Sequence, residues 1–267
     1  MTPKRLAILF CLLFVVLPTL AQQSGTPVTK DPQAVQLATA SLAALSDNIQ
    51  ISDITLTGTA TRTTGSDVEN GNFTLKGLGT TDSRLDLNLS NGLNSEIRNQ
   101  ASTGAPQGFF IQSGGSPSPL AQHNCWTSAV WFFPVLSVLA QTSDPTVALS
   151  YIGQETRSNV AVSHIQFNVA GASLALSDSR LAQLGLSDLY IDATSNLPVA
   201  IVFNIHPDND ALTNIPVEID FSAYQTVNGI PVPFRIQKLL NGTLFLDFTV
   251  QNAAVNSGLT DSAFASN

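Results

Sequence analysis

Cysteine, basic residues and long apolar runs are all scarce in this chain, and each scarcity removes a class of function. Its 267 residues include two cysteines, one methionine and two tryptophans, with 11 lysines and arginines against 19 aspartates and glutamates. Cys11 lies in the first apolar run, so a chain that loses that run keeps only Cys125 and has no partner for an intramolecular disulfide. Cys125 sits beside Trp126 among apolar residues, where a buried and inert thiol is expected. The basic residues beyond that run, Lys30, Arg62, Lys76, Arg84, Arg98, Arg157, Arg180, Arg235 and Lys238, stand singly. Polyanion binding draws on clustered lysine and arginine that displace counterions, so nucleic acid is not expected as a partner. These nine against all 19 acidic residues leave a formal charge near −10, which favours solubility. The apolar run from Leu6 to Val16 is shorter than the roughly 20 residues a membrane-spanning helix needs, and no later stretch is longer.

Chemistry-bearing motifs are equally sparse. The chain has no Gly-x-Ser-x-Gly elbow and no glycine-rich phosphate loop ending in Lys-Ser or Lys-Thr. His123, His164 and His206 lack metal-type spacing, and His164 falls within a strand pattern. His206, Asp208 and Asp210 supply oxygen and nitrogen donors of the kind a cation uses, but they read as a polar loop following a strand that ends at Ile205. No catalytic residue, cofactor or metal site is therefore expected.

What is present begins with an export signal. Lys4 and Arg5 precede the apolar run, which breaks at Pro18, and Thr19-Leu20-Ala21 is a near match to the small-x-small cleavage pattern. Residues 1–21 read as a cleaved signal peptide and 22–267 as one exported domain, because no linker divides the remainder. Cys11 sits too deep in the apolar run to carry a lipid anchor.

Asp31 and Pro32 form a helix start, followed by Val35, Ala38, Leu42, Leu45 and Ile49 at helical spacing. Ile54, Leu56, Gly58 and Ala60 then alternate with four threonines, the pattern of a half-buried strand. Asn-Gly pairs at 70–71, 91–92, 228–229 and 241–242 read as hairpin turns, since both residues tolerate positive φ. Alternating segments surround these turns and recur near 107–112, 146–155, 159–169, 187–193 and 198–205. The expected fold is mainly β (α+β), a single curved antiparallel sheet of about a dozen strands.

Two interruptions stand out. Residues 118–141 gather both tryptophans with Phe132, Phe133 and several aliphatic residues, and read as a helix kinked or divided near Pro134. Leu174 to Leu184 suggests a shorter helix. An aromatic helical insertion beside a sheet that already has an apolar face is expected to lie over that face as a plug or lid. Ordinary core packing explains the same stripe, and a lipid-sized apolar cavity is the functional alternative.

The stretch Leu189-Tyr190-Ile191-Asp192, then Leu197-Pro198-Val199, Ile219-Asp220-Phe221 with Tyr224, and Asn228-Gly229-Ile230-Pro231-Val232-Pro233 resembles the outer-membrane lipoprotein-sorting (LolA/LolB-like) superfamily. The likeness covers about 190–264. It implies an incomplete antiparallel β-barrel in the periplasm, with helices covering a concave apolar face that holds acyl chains of lipids or lipoproteins without covalent chemistry. The family's lid-holding arginine has no matching position here. The residues expected to wall such a cavity are Trp126, Trp131, Phe132, Phe133 and Leu136 from the insertion, with Leu87, Phe167, Phe221 and Phe248 from strands. A monomer with an unknown envelope partner is expected. The competing expectation is an envelope interaction protein whose barrel is packed solid. Intact-mass analysis of protein recovered after export should show a chain beginning at Gln22; retention of residues 1–21 would remove the export reading.

Overall fold

A computed structural model describes residues 28–47, 49–169 and 182–266. The expected signal peptide and most of the expected helix at 174–184 lie outside the described residues. Of the latter, Ala182–Gly185 forms a 3-10 turn.

Helix α1 spans Pro32–Ser46. The Asp31 carboxylate accepts hydrogen bonds from the amides of Gln33 at 2.7 Å and Ala34 at 3.3 Å, and Pro32 occupies the first turn, where an amide hydrogen is not needed. Asp47 ends the helix in the left-handed conformation, its N–H bonded to the Ala43 carbonyl. The buried stripe is Ala34, Ala38, Ser41 and Leu45. It is rotated slightly from the expected one, with Val35 and Leu42 half-buried and Ile49 beyond the helix and 42% exposed. Small side chains at Ala34, Ala38 and Ser41 let the first turns of the helix approach their neighbours closely, and Leu45 fills the space at its end.

Thirteen strands form one antiparallel sheet. They are β1 (Asp53–Thr64), β2 (Asp67–Leu78), β3 (Asp82–Leu89), β4 (Gly92–Gln100), β5 (Pro106–Ile111), β6 (Ser118–Pro119), β7 (Val147–Arg157), β8 (Val160–Val169), β9 (Leu186–Asp192), β10 (Pro198–Ile205), β11 (Ile215–Val227), β12 (Ile230–Leu240) and β13 (Thr243–Val255). The spatial order is β6-β5-β4-β3-β2-β1-β13-β12-β11-β10-β9-β8-β7. The chain therefore starts at the centre, meanders outward to one edge, crosses to the opposite edge, and meanders back until β13 lies beside β1. The two edges do not pair with each other, so the barrel is incomplete. Among the described residues, no helix is long and apolar enough to cross a membrane.

The turns follow the expected chemistry in part. Asn228-Gly229 and Asn241-Gly242 form two-residue hairpin turns with positive φ at both positions. At β3–β4 the turn falls one residue earlier, on Ser90-Asn91, with Leu89 opposite Gly92. Asn70-Gly71 is not a turn: it lies within β2, paired with Thr61 and Ala60, and the reversal occurs at Gly65-Ser66. A Cβ on Gly71 would stand 2.0 Å from the Asn88 carbonyl oxygen, so glycine is required there for close backbone approach.

The crossover between β6 and β7 is the apolar insertion, and it is not a single kinked helix. It consists of a 3-10 turn at Gln122–Cys125, irregular turns to Phe133, one α-helical turn α2 (Pro134–Ser137) and a 3-10 segment at Leu139–Ser143. Trp131, Phe132 and Phe133 are consecutive and all buried. Successive residues of a helix point about 100° apart, so one amphipathic helix face cannot bury all three. An irregular segment enclosed by the curved sheet can. The aromatic rings pack on residues of the central strands, with Phe73 and Phe248 centroids 4.7 Å apart and Trp131 6.3 Å from Phe248. Residues from both halves of the sheet, including Leu75, Phe167, Ile201 and Ile219, complete this core.

The motif residues near the C-terminus fasten strands together. Asp192 accepts from the amides of Thr194 and Ser195, shaping the β9–β10 turn, and the Tyr224 hydroxyl donates to the Pro198 carbonyl at 2.9 Å. On the convex side a 3-10 turn at Asp261–Phe264 covers Ile97, held by Asn99 donating to the Phe264 carbonyl at 2.9 Å. Phe133→Ala should lower unfolding free energy by about 3–5 kcal/mol in urea denaturation, the cost of removing a fully buried aromatic side chain; a loss below about 1 kcal/mol would show that the plug does not contribute to the folded core.

Candidate functional site

The gap between the two arms of the open sheet holds a recess of about 370 Å³. Turns of the first arm (Thr80, Gly104) line one side, β8 and β9 of the second arm (Phe167, Ser187) the other, and the plug its floor. Trp126 lines it half-buried, and Ala129, Val138 and Val147 extend the apolar wall. The volume falls within the range of about 300–1,000 Å³ typical of small-molecule sites, and the wall mixes these apolar residues with polar ones such as Gln100, Gln141 and Asp144.

The other residues expected to wall a cavity are dispersed. Trp131, Phe132, Phe133 and Phe248 lie within the core. Leu136 lines a second recess of about 340 Å³ between α1 and the plug, with Leu42 and Ile51. Leu87 lines a recess of about 120 Å³ on the concave face. Phe221 is buried and borders a groove of about 580 Å³ whose other walls carry Arg157, Glu218 and Asp220. In that groove Arg157 pairs with Glu218 and lies 3.9 Å over the Tyr190 ring. Burial, with Glu218 alongside, pushes the Asp220 carboxyl up to about 6.

The concave face also carries charges that a reading of the sequence misses. Strand β4 reads Glu96-Ile97-Arg98, and simple alternation assigns the isoleucine to the core. The register is the opposite: Glu96 pairs with Leu85 and Arg98 with Ser83 on the concave side, while Ile97 faces the C-terminal turn. Arg98 is buried, donates to Glu96 Oε1 at 3.1 Å and to Thr127 Oγ1 at 2.9 Å, and so ties β4 to the plug. Lys238 of β12 reaches the same region, with Nζ 4.6 Å from the Trp131 ring centroid. Burial alone would raise the Glu96 carboxyl, but the charges of Arg98 and Lys238 outweigh it and hold it below the usual range. Nothing in local sequence marks these residues, because their meeting depends on sheet curvature.

Each histidine is engaged by neighbours: His123 bonds the Pro207 carbonyl through Nε2 at 3.0 Å, its ring centroid 5.9 Å from that of His206. His164 is bonded to Asp188 at 2.8 Å and stacks on Tyr190. His206 donates through Nδ1 to the Thr213 carbonyl, and Asp210 accepts from the Leu212 amide and the Thr213 hydroxyl, so this cluster organises the β10–β11 loop. Asn124 exchanges two hydrogen bonds with the backbone of His206, both at 2.8 Å, pinning the start of the plug to that loop. Among the described residues, no group of three or more histidine, cysteine, aspartate or glutamate side chains is placed to hold a metal ion.

Comparison with known proteins places the fold. No family model matches the chain, and no curated protein matches it. Among solved structures, it is similar to a Vibrio parahaemolyticus domain named for outer membrane lipoprotein sorting, with a TM-score of 0.58 at 10% identity, over 87% of this chain and 96% of that one. A DUF1329 family protein from Desulfovibrio piger gives 0.57 at 9% identity, over 89% and 98% of the two chains. A LolA superfamily protein from Nitrosomonas europaea gives 0.49 at 10% identity, over 87% and 97%. The chain therefore shares the open, incompletely closed antiparallel fold of the Vibrio parahaemolyticus and Desulfovibrio piger structures, the fold that the motifs between residues 190 and 264 imply.

Burial pushes the Cys125 thiol up, with the charge of Arg98 offsetting part of the effect. Folded protein at pH 7.5 should therefore react with a disulfide reagent at least about tenfold more slowly than protein in urea; equal rates would place the thiol in solvent.

Proposed function

We propose that this protein is a periplasmic carrier or binder of acyl chains, belonging to lipids or lipoproteins, that works without covalent chemistry. The observation that carries this reading is the recess between the arms, floored by the plug and walled by Trp126 and Phe167. The half-barrel fold, shared with a domain named for outer membrane lipoprotein sorting, agrees with it. Transfer of a chain from water gains roughly 0.8 kcal/mol for each buried CH₂, so partial enclosure suffices to hold an amphiphile. The envelope-scaffold reading draws on one observation, the dense packing of Trp131, Phe132, Phe133 and Phe248.

Native mass spectrometry of protein purified from the periplasm without detergent, followed by organic extraction, separates the two. The expected result is bound lipid near one per chain, lost in a Trp126→Asp variant whose thermal midpoint is maintained. Protein that carries no lipid and takes up no acyl probe would overturn the carrier reading in favour of the scaffold.

A further inference from the structure

The concave face of an acidic protein carries three of its few basic residues, Arg62, Arg98 and Lys238. By register each projects inward: Arg62 continues the Ile54, Leu56, Ala60 series of β1, Arg98 opposes Ser83, and Lys238 opposes Leu246 of β13. Two of the three have a carboxylate of their own. Arg62 is paired with Glu69, which also accepts from Ser90 at 2.6 Å, and Arg98 is paired with Glu96. Lys238 forms no ion pair with a described carboxylate. Its ammonium instead lies over Trp131, within electrostatic reach of Glu96. The local sum of these five side chains is one excess positive charge.

Burial lowers the Lys238 pKa, an effect that Glu96 opposes and Arg98 reinforces. A lysine held in this way costs folding free energy, since its ammonium loses water without gaining a carboxylate of its own. Beside it is the recess of about 120 Å³, walled by Leu85, Leu87, Phe110, Phe245 and Leu246, with Arg62, Glu96 and Lys238 also on its lining. An apolar slot carrying an under-neutralised cation has the form of an amphiphile site: one end takes carbon and the other takes negative charge.

We propose that Lys238 is the head-group receptor of this protein, and that the carried molecule is an anionic amphiphile with a carboxylate or phosphate at the head of an alkyl chain. The head pairs with the Lys238 ammonium, completing the charge balance that Glu96 and Glu69 leave short by one. The first carbons enter the slot between β3, β5 and β13. This inference rests on the carrier reading and adds the sign and location of the head group. It differs from the gap recess in that the specificity comes from β12 and β4, on the inner wall of the sheet.

Isothermal titration of the mature, delipidated protein with dodecanoate and monododecyl phosphate, each below its micelle concentration, and with 1-dodecanol below its solubility limit, tests it. Both anions should bind about tenfold or more tightly than the alcohol, the difference made by one charge-assisted hydrogen bond. Lys238→Met, which keeps the apolar stem, should bring the three affinities together while retaining the alcohol, and Lys238→Arg should restore the preference. Thermal midpoints of both variants establish that they are folded. A wild type binding all three ligands equally would overturn the head-group assignment and leave the carrier reading standing, as would a folded Lys238→Met that keeps the preference. Absence of binding by any of the three would overturn both. A preference for only one of the anions identifies the head as that chemistry.

Discussion

Packing of the crossover segment against the inside of the sheet is the interaction on which the rest of the structure depends. An open sheet of 13 strands has an apolar concave face and needs a second layer to bury it. Because β6 and β7 lie at opposite edges, the chain must travel from one to the other, and it does so through the concave interior. The connection and the core are thus the same residues. Full burial of Trp131, Phe132 and Phe133, at roughly 1.5–3 kcal/mol for a large apolar side chain, is what makes the irregular path stable. Helix α1 seals one side of this arrangement, and the extended residues before it pair with edge strand β7, Asp31 donating to the Leu149 carbonyl at 2.8 Å.

The same segment forms the floor of the gap recess, so the stability of the core and the shape of the recess are coupled through it. Polar contacts hold it at defined points: Asn124 to the β10–β11 loop, Arg98 to Thr127, and Lys238 over Trp131. Each joins the plug to a different part of the sheet. The charges involved sit in a region of reduced dielectric, where their interactions are stronger than on the surface and where an unmatched charge is costly. The inner wall is thus mostly apolar but carries a small, nearly balanced charge set.

The outer surface is organised differently. Arg157, Tyr190, His164, Asp188 and Glu218 form a continuous polar ladder across β7–β11, and the C-terminal turn covers the opposite arm at Ile97 and Phe264. The C-terminal turn thus covers the apolar residues of one part of the outer surface, while Val68, Leu93 and Ile152 remain exposed elsewhere.

Local chemistry determined much of this protein directly from sequence. Asp31-Pro32 begins the first helix, the threonine alternation makes β1, Asn228-Gly229 and Asn241-Gly242 turn the last hairpins, and the concentration of aromatics at 126–133 marks the plug, because each depends on neighbours within a few residues. Tertiary structure alone decided that Asn70-Gly71 is strand, where a distant backbone approaches too closely for a side chain; that the plug is irregular, since enclosure on several sides removes the need for one amphipathic face; and that Phe132 and Phe133 are core while Trp126 borders a recess. It also decided the facing of Glu96 and Arg98, which register sets through the hydrogen-bonded partner strand and a one-residue shift would reverse. Lys238 meets Trp131 and Glu96 only because the sheet curves, and curvature is a property of thirteen strands together that no local stretch of sequence encodes.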